Sequence, residues 1–242
     1  MAGLVVHENQ IAEVADAAAG VCAKLTISSE TTGHLSQAVL RILAGSAGTR
    51  VVPEGHEEIL YVLRGEGAVV LGDVRHDLGP DTGAHVASGE TYRLESSSDE
   101  DLVAVSVIAP VATDLPVELG ERQTVVRLAD QPAHPAGKDR KFWFVVTPEV
   151  GCRGVTQFVG WIPPGRAKDH YHEYDEVAYI LEGDAVLHRE GEPDVKVGPG
   201  SCIHFPPGMV HCVENVGEAP VRVLGVFHPP GSAAAAYHPD DD

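Results

Sequence analysis

The stretch 170-HYHEYDEVAYILEG-183 sets two histidines one residue apart, adds Asp175 and Glu176, and runs through an apolar segment into a glycine. Successive side chains of a β-strand point to opposite sides. His170 and His172 therefore face one way together. A strand that continues brings Glu176, Ala178 and Ile180 onto the same side, and the last two suit the inside of a barrel. Upstream, 161-WIPPGRAKD-169 carries a Pro-Gly turn signal where that strand would begin.

The same pattern occurs earlier. In 58-EILYVLRGEGAVVLG-72 and 176-EVAYILEGDAVLHRE-190, Glu58 matches Glu176, Tyr61 matches Tyr179 and Gly65 matches Gly183, each 118 residues on. Gly89 in 87-ASGETY-92 falls on Gly208 in 206-PPGMVH-211 at a spacing of 119, one loop residue different. A repeat of half the chain implies two copies of one supersecondary unit. Each copy reads as short strands separated by turn signals, which predicts an all-β protein of two tandem jelly-roll β-barrels. Polar residues and prolines collect in 111-VATDLPVELGERQ-123, so the halves divide as 1–115 and 116–242. The first ~30 residues add a strand or short helix to one barrel or the other.

Composition narrows the function. The chain has 242 residues, 17 prolines, 26 glycines and a net charge of -19. A chain of this size buries roughly 70% of its unfolded surface and needs no disulfide to hold a core. Such an acidic balance excludes nucleic acid as a partner, because no basic stripe is present. The longest apolar run, 102-LVAVSVIAPVA-112, is too short to span a bilayer. The opening MAGLVVHENQ has no basic segment followed by an apolar core, so the expectation is a cytoplasmic protein with free thiols at Cys22, Cys152, Cys202 and Cys212. Their spacing is not CxxC, which argues against a zinc ribbon.

A partner for the two histidines lies in 200-GSCIHFPPGMVHCVEN-215, where Pro207-Gly208 makes a tight turn and His211 opens the next strand. Gly165, His170, His172, Glu176 and Gly183, followed by Gly200, Pro206, Gly208, His211 and Asn215, resemble the paired motifs of the cupin superfamily. One residue of latitude lies between Gly165 and His170. The whole chain then resembles a bicupin. The resemblance implies that His170, His172, Glu176 and His211 bind one divalent metal: Fe, Mn or Ni by preference, Zn or Cu as alternatives. Open coordination positions on such a metal would serve catalysis. In the first half Val52, Glu54 and Tyr92 fall where His170, His172 and His211 stand, and only Glu58 survives. The N-terminal barrel is therefore expected to be metal-free.

Other residues carry weaker signals. Asp175 has the opposite strand parity and is expected in solvent. His204 either lines the pocket or is a core histidine, and Cys202 shares its parity. Cys212 should point away from the metal. Tyr174 shares the ligands' parity, with wall packing as its ordinary role. Phe142, Trp143, Phe144, Phe158 and Trp161 are expected in core or interface. Arg166 and Lys168 precede the ligands and are candidates for a substrate carboxylate, or merely solvated. His56, Glu57 and Tyr92 read as ordinary surface or barrel residues. The tail 231-GSAAAAYHPDDD-242 suggests a short terminal helix.

Three functions fit. The first is a dioxygenase-type oxidoreductase acting on a small organic molecule at the C-terminal metal, the leading subclass. The second is an oxygen-independent hydrolase, decarboxylase or isomerase. An empty first barrel and a metal-bearing second one are similar in organisation to the ureidoglycine aminohydrolase family. That family's Glu-x-His, His and Gln ligands differ from the set here. The third is a metal or small-ligand binding protein without turnover. Family analogy adds a homodimer.

Overall fold

Short apolar runs broken by Gly, Pro and Asp fold as short antiparallel strands, because each run can bury only one face before a turn reverses it. The structure, a computed structural model, describes residues 3–16, 20–97, 99–115, 117–137, 139–232 and 234–238. Among these, the only α-helix is the single turn Ser29–Thr32. No helix among the described residues is long and apolar enough to cross a membrane.

The chain forms two barrels of two sheets each. In the first, a seven-stranded sheet centred on His56–Arg64 faces a four-stranded sheet of Ala47–Val51, Gly67–Leu71, Val74–Leu78 and Thr91–Ser96. In the second, a seven-stranded sheet centred on Asp175–Glu182 and its neighbours faces a three-stranded sheet of Ala185–Arg189, Glu192–Val197 and His211–Asn215. The repeat extends to the strand order at the heart of the two large sheets. His56–Arg64 lies between Thr82–Val86 and Leu102–Pro110, and Asp175–Glu182 lies between Ser201–Phe205 and Val221–His228.

Strand parity separates two kinds of core. Leu60 and Val62 pack inside the first barrel, and Ala178 and Ile180 inside the second. Their neighbours Ile59, Tyr61, Val177 and Tyr179 point the other way into one shared cluster between the two large sheets. Each such buried Val, Leu or Ile contributes about 1.5–3 kcal/mol relative to exposure. Between the barrels lies a core, so the central strands of both large sheets are buried on both faces.

Two arms cross the line at 115/116. Leu4–His7 pairs antiparallel with Ser201–Phe205, Leu4 opposite His204, and so completes the second barrel's sheet. Val125–Arg127 pairs with Thr82–Val86 and completes the first. The repeated glycines have a steric reason. Gly65 and Gly183 both have positive φ, at 80° and 86°. A Cβ there would sit 2.3 Å from the Asp101 carbonyl oxygen and 2.9 Å from that of Pro220. Only glycine allows the chain to leave the central strand at that angle against its neighbour.

Candidate metal centre in the C-terminal barrel

His170, His172 and His211 converge. One ring nitrogen from each lies within 4.8 Å of the others. The strand expected to carry His170 through Ile180 unbroken starts only at Asp175. Before it, His170 is held by a two-bond antiparallel bridge to His211, with His170 N–H donating to His211 O at 3.0 Å and the reverse bond at 2.8 Å. The His172 carbonyl accepts from Gly208 N–H at 2.8 Å, which ties the ligand loop to the Pro207-Gly208 turn. The motif residues Gly165 and Asn215 bridge the ends of the same two segments. The Asn215 amide also donates to the carbonyls of Ile162 and Ala219 at 2.9 Å.

The tautomers follow from the partners. His170 Nδ1 lies 3.3 Å from Lys168 O, His172 Nδ1 3.3 Å from Ala235 O, and His211 Nδ1 2.8 Å from Met209 O. A carbonyl only accepts, so each Nδ1 carries the proton and each Nε2 keeps its lone pair. Burial lowers all three pKa values. His170 is brought to about 4 with help from neighbouring His172, and His211 is held well below the ordinary range. The His211 ring stacks on Phe205 at 4.0 Å between centroids.

Glu176 lines the same cavity, but its carboxylate is outside the 4.8 Å group formed by the three imidazoles. One of its oxygens is buried and has no hydrogen-bond partner. Burial pushes its pKa up to about 8. Three neutral imidazoles with free lone pairs beside an uncompensated carboxylate are a donor set that fits a divalent cation, which would supply the missing charge.

The cavity above the cluster has a volume of about 930 Å3. Arg166 and Lys168, noted as candidates for a substrate carboxylate, line it. So do Phe142, Phe158 and Trp161, which composition alone assigned to core or interface. Arg140, also on the wall, escaped sequence reading because it lies far from both motifs in a loop with no pattern. The C-terminal tail is not helical among its described residues. Tyr237 bridges to Tyr171, and Ala234, Ala236 and His238 border the cavity, with residues 233 and 239–242 outside the described part. Backbone pairing to the ligand loop outweighs the alanine run's helix propensity.

Several expectations change. Asp175 is 4% exposed rather than solvated, and it faces His204 across 2.6 Å in the core between the barrels. Parity was right, but the reverse face of this sheet meets the other barrel instead of water. His204 and Cys202 accordingly lie away from the cavity, in the same inter-barrel layer. Cys212 also avoids it, donating to Ala167 O. Tyr174 packs against Phe227 at 5.2 Å, as wall. Glu57, read as an ordinary surface or barrel residue, is buried at the junction. Its Oε2 accepts from Arg153 N at 2.8 Å, Gly154 N at 2.6 Å and the Cys152 thiol at 3.3 Å, while His85 Nε2 lies 3.2 Å from Oε1. The Glu57, His85 and Cys152 donor atoms also lie within 4.8 Å of one another. With one oxygen already taking three donors, this group is a hydrogen-bonded tie between the halves. The Glu57–His85 pair repeats Asp175–His204 at the two spacings found in the sequence.

Inside the N-terminal barrel, the position of the cluster is filled by a side-chain cation. Arg50 donates to Glu58 at 2.9 Å and to the Tyr92 hydroxyl at 2.8 Å, and Ser106 donates to Glu58 at 2.6 Å. Glu58 and Tyr92 are the repeat mates of Glu176 and His211. The guanidinium supplies to the buried carboxylate the positive charge that the second barrel leaves open.

Comparison with known proteins agrees with this architecture. The family described as "Cupin domain" matches residues 38–108 and 158–227, one match per barrel. An uncharacterised protein of Methanocaldococcus jannaschii is 34% identical over 84 residues, which cover 33% of this chain and 66% of that protein. The tetracenomycin polyketide synthase protein TcmJ of Streptomyces glaucescens is 24% identical over 112 residues, covering 46% of this chain and 74% of that protein. Among solved structures, Bacillus subtilis oxalate decarboxylase superposes with a TM-score of 0.75 at 15% identity, over 94% of this chain and 77% of that one. The Escherichia coli protein Ylba superposes at 0.76 and 12% identity, over 95% and 92%.

Proposed function

The chain belongs to the cupin family, and from that premise we propose that it is a metal-dependent enzyme whose C-terminal barrel converts a small organic molecule without consuming oxygen, with decarboxylation ahead of hydrolysis and isomerisation. One observation carries the metal: three buried imidazoles, each with Nδ1 spent on a backbone carbonyl and Nε2 free, beside the unpartnered oxygen of Glu176. His170, His172, Glu176 and His211 would hold the ion, with Fe, Mn or Ni suited to this mixed nitrogen and oxygen set. When bound, the metal supplies Lewis-acid polarisation of a substrate oxygen. The chain's own residues do the rest. Backbone carbonyls fix the imidazole planes, Phe205 backs His211, and the apolar wall limits water around the reacting group. The fold likeness to oxalate decarboxylase supports the oxygen-independent reading over a dioxygenase.

The test joins two measurements. Element analysis of the purified protein is expected to find near-stoichiometric metal, lost in His170→Ala and Glu176→Ala variants that still fold. Turnover of an organic-acid panel should then proceed at the same rate in anaerobic buffer, with carbon dioxide as a product. Turnover that stops without oxygen would restore the dioxygenase reading. A metal-loaded protein with no turnover on any substrate class would favour a binding role.

A further inference from the structure

The cavity beside the histidine cluster has room for far more than a two-carbon acid. At about 930 Å3 it would hold roughly 30 waters at ~30 Å3 each. Its wall is aromatic on one side, where Phe142 and Phe158 line it from the same face of their sheet. Phe158 lies flat on that wall because Gly225 has no side chain: a Cβ there would sit 2.3 Å from the ring. Gly160 works in the opposite sense. It lines the cavity between Phe158 and Ile162 on the same face of their strand, and a Cβ there would meet nothing nearer than 3.8 Å. The absent side chain at 160 is open space in the cavity, not a packing requirement.

Charge gives the second constraint. The chain carries 36 acidic and 17 basic residues. Around this cavity the balance reverses, with Arg140, Lys141, Arg166 and Lys168 against Asp139 and Glu176. Arg166 is tied to Asp169 at 3.0 Å, and Lys141 lies over the Trp143 and Trp161 rings at 5.4 and 4.7 Å. Arg140 is different. It is partly buried, one of its nitrogens donates to Val213 O at 2.8 Å, and no carboxylate lies within ion-pair distance among the described residues. Burial lowers its pKa, yet a guanidinium stays charged, so a partly buried fork of donors lines the cavity with no protein carboxylate to balance it among the described residues. A planar fork of this kind fits a carboxylate.

We propose that this cavity binds an aromatic carboxylate, with Arg140 donating to the carboxylate and the ring system lying against Phe142 and Phe158 in the space left open at Gly160. The proposal rests on the metal-enzyme reading for the choice of cavity, but its selectivity can be measured with or without metal. A small aliphatic diacid would leave the rings wet and most of the volume filled with water. A ring system instead buries apolar surface at about 25 cal/mol per Å2.

The experiment is calorimetric titration with 2-naphthoate, benzoate and the neutral 2-naphthamide. It uses wild type, Arg140→Gln and Gly160→Leu, each metal-loaded and metal-stripped, with metal content and circular dichroism recorded on the same samples. Naphthoate is expected to bind roughly tenfold tighter than benzoate in both forms. Arg140→Gln should weaken naphthoate about tenfold and leave naphthamide unchanged, the signature of one charge-assisted contact. Gly160→Leu should weaken naphthoate more than benzoate at unchanged metal content. Naphthoate no tighter than benzoate in either form overturns the proposal, as does equal weakening of naphthoate and naphthamide by Arg140→Gln. A wild type that takes up no metal but keeps the naphthoate preference removes the metal-enzyme reading and leaves this one standing. Metal uptake without the preference does the reverse.

Discussion

Glu176 and the three histidines carry opposite burdens in the metal-free protein. The Glu176 pKa rises from 4.5 to about 8. Its neutral form is favoured in the fold, so its stabilising contribution is full below about pH 4.5 and is lost as pH rises through about 8. His170 falls from 6.5 to about 4, so its contribution is present above about pH 6.5 and is lost as pH falls through about 4. The metal-stripped protein should therefore melt at its highest temperature between these limits, and Glu176→Gln should remove the alkaline decline. Thermal melts across pH check this. Metal favours the same neutral imidazoles, so retention should survive mild acid and fail near the low histidine values. Arg50 makes a matching case in the other barrel. Its removal leaves Glu58, whose side chain is fully buried, without its cation and with only the neutral hydroxyls of Ser106 and Tyr92 beside it. Arg50→Ala is expected to cost about 3 kcal/mol in urea unfolding, with much of it recovered by adding Glu58→Gln.

At the scale of elements, the tail is the part whose role differs most from its composition. Alanine-rich segments favour helix in isolation. Here residues 234–238 instead run along the ligand loop, where Tyr171 and Tyr237 exchange backbone hydrogen bonds and the Ala235 carbonyl fixes His172. A chain ending at Ser232 should keep its barrels but release metal faster, with affinity lower by about tenfold, the usual effect of losing a partner behind a ligating histidine. Competition with a chelator measures it. An unchanged affinity would show that the tail borders the cavity without supporting the ligand.

On the scale of the whole molecule, the barrels share a core and exchange arms. Leu4–His7 covers the edge of Ser201–Phe205, and Tyr179 donates to Glu8 just beyond that arm. Removing residues 1–10 exposes a strand edge and uncovers part of the inter-barrel layer. Expressed alone, 116–242 lacks that arm and 1–115 lacks Val125–Arg127. Each half should aggregate by itself, and co-expression should recover folded material. Size-exclusion profiles of the separate and co-expressed halves provide the check, and two soluble independent halves would refute the coupling.

Much of this was legible in the chain as written. The spacing of 118 between Glu58 and Glu176, Tyr61 and Tyr179, and Gly65 and Gly183 specifies two copies of one unit, because strand alternation and the positive-φ exit from the strand are local properties. The convergence of His170, His172 and His211 could also be anticipated, since the Gly and Pro frame sets where the segments turn. What lies behind the sheets could not. Asp175 and Glu57 have unambiguous parity, but whether the reverse face meets water or a second barrel depends on contacts between distant residues, such as Glu57 with Gly154, 97 positions on. The same holds for Arg140 and Gly160, whose places on the cavity wall follow from how distant segments pack, and for the tail, where one strand-like bridge outweighs a local preference for helix.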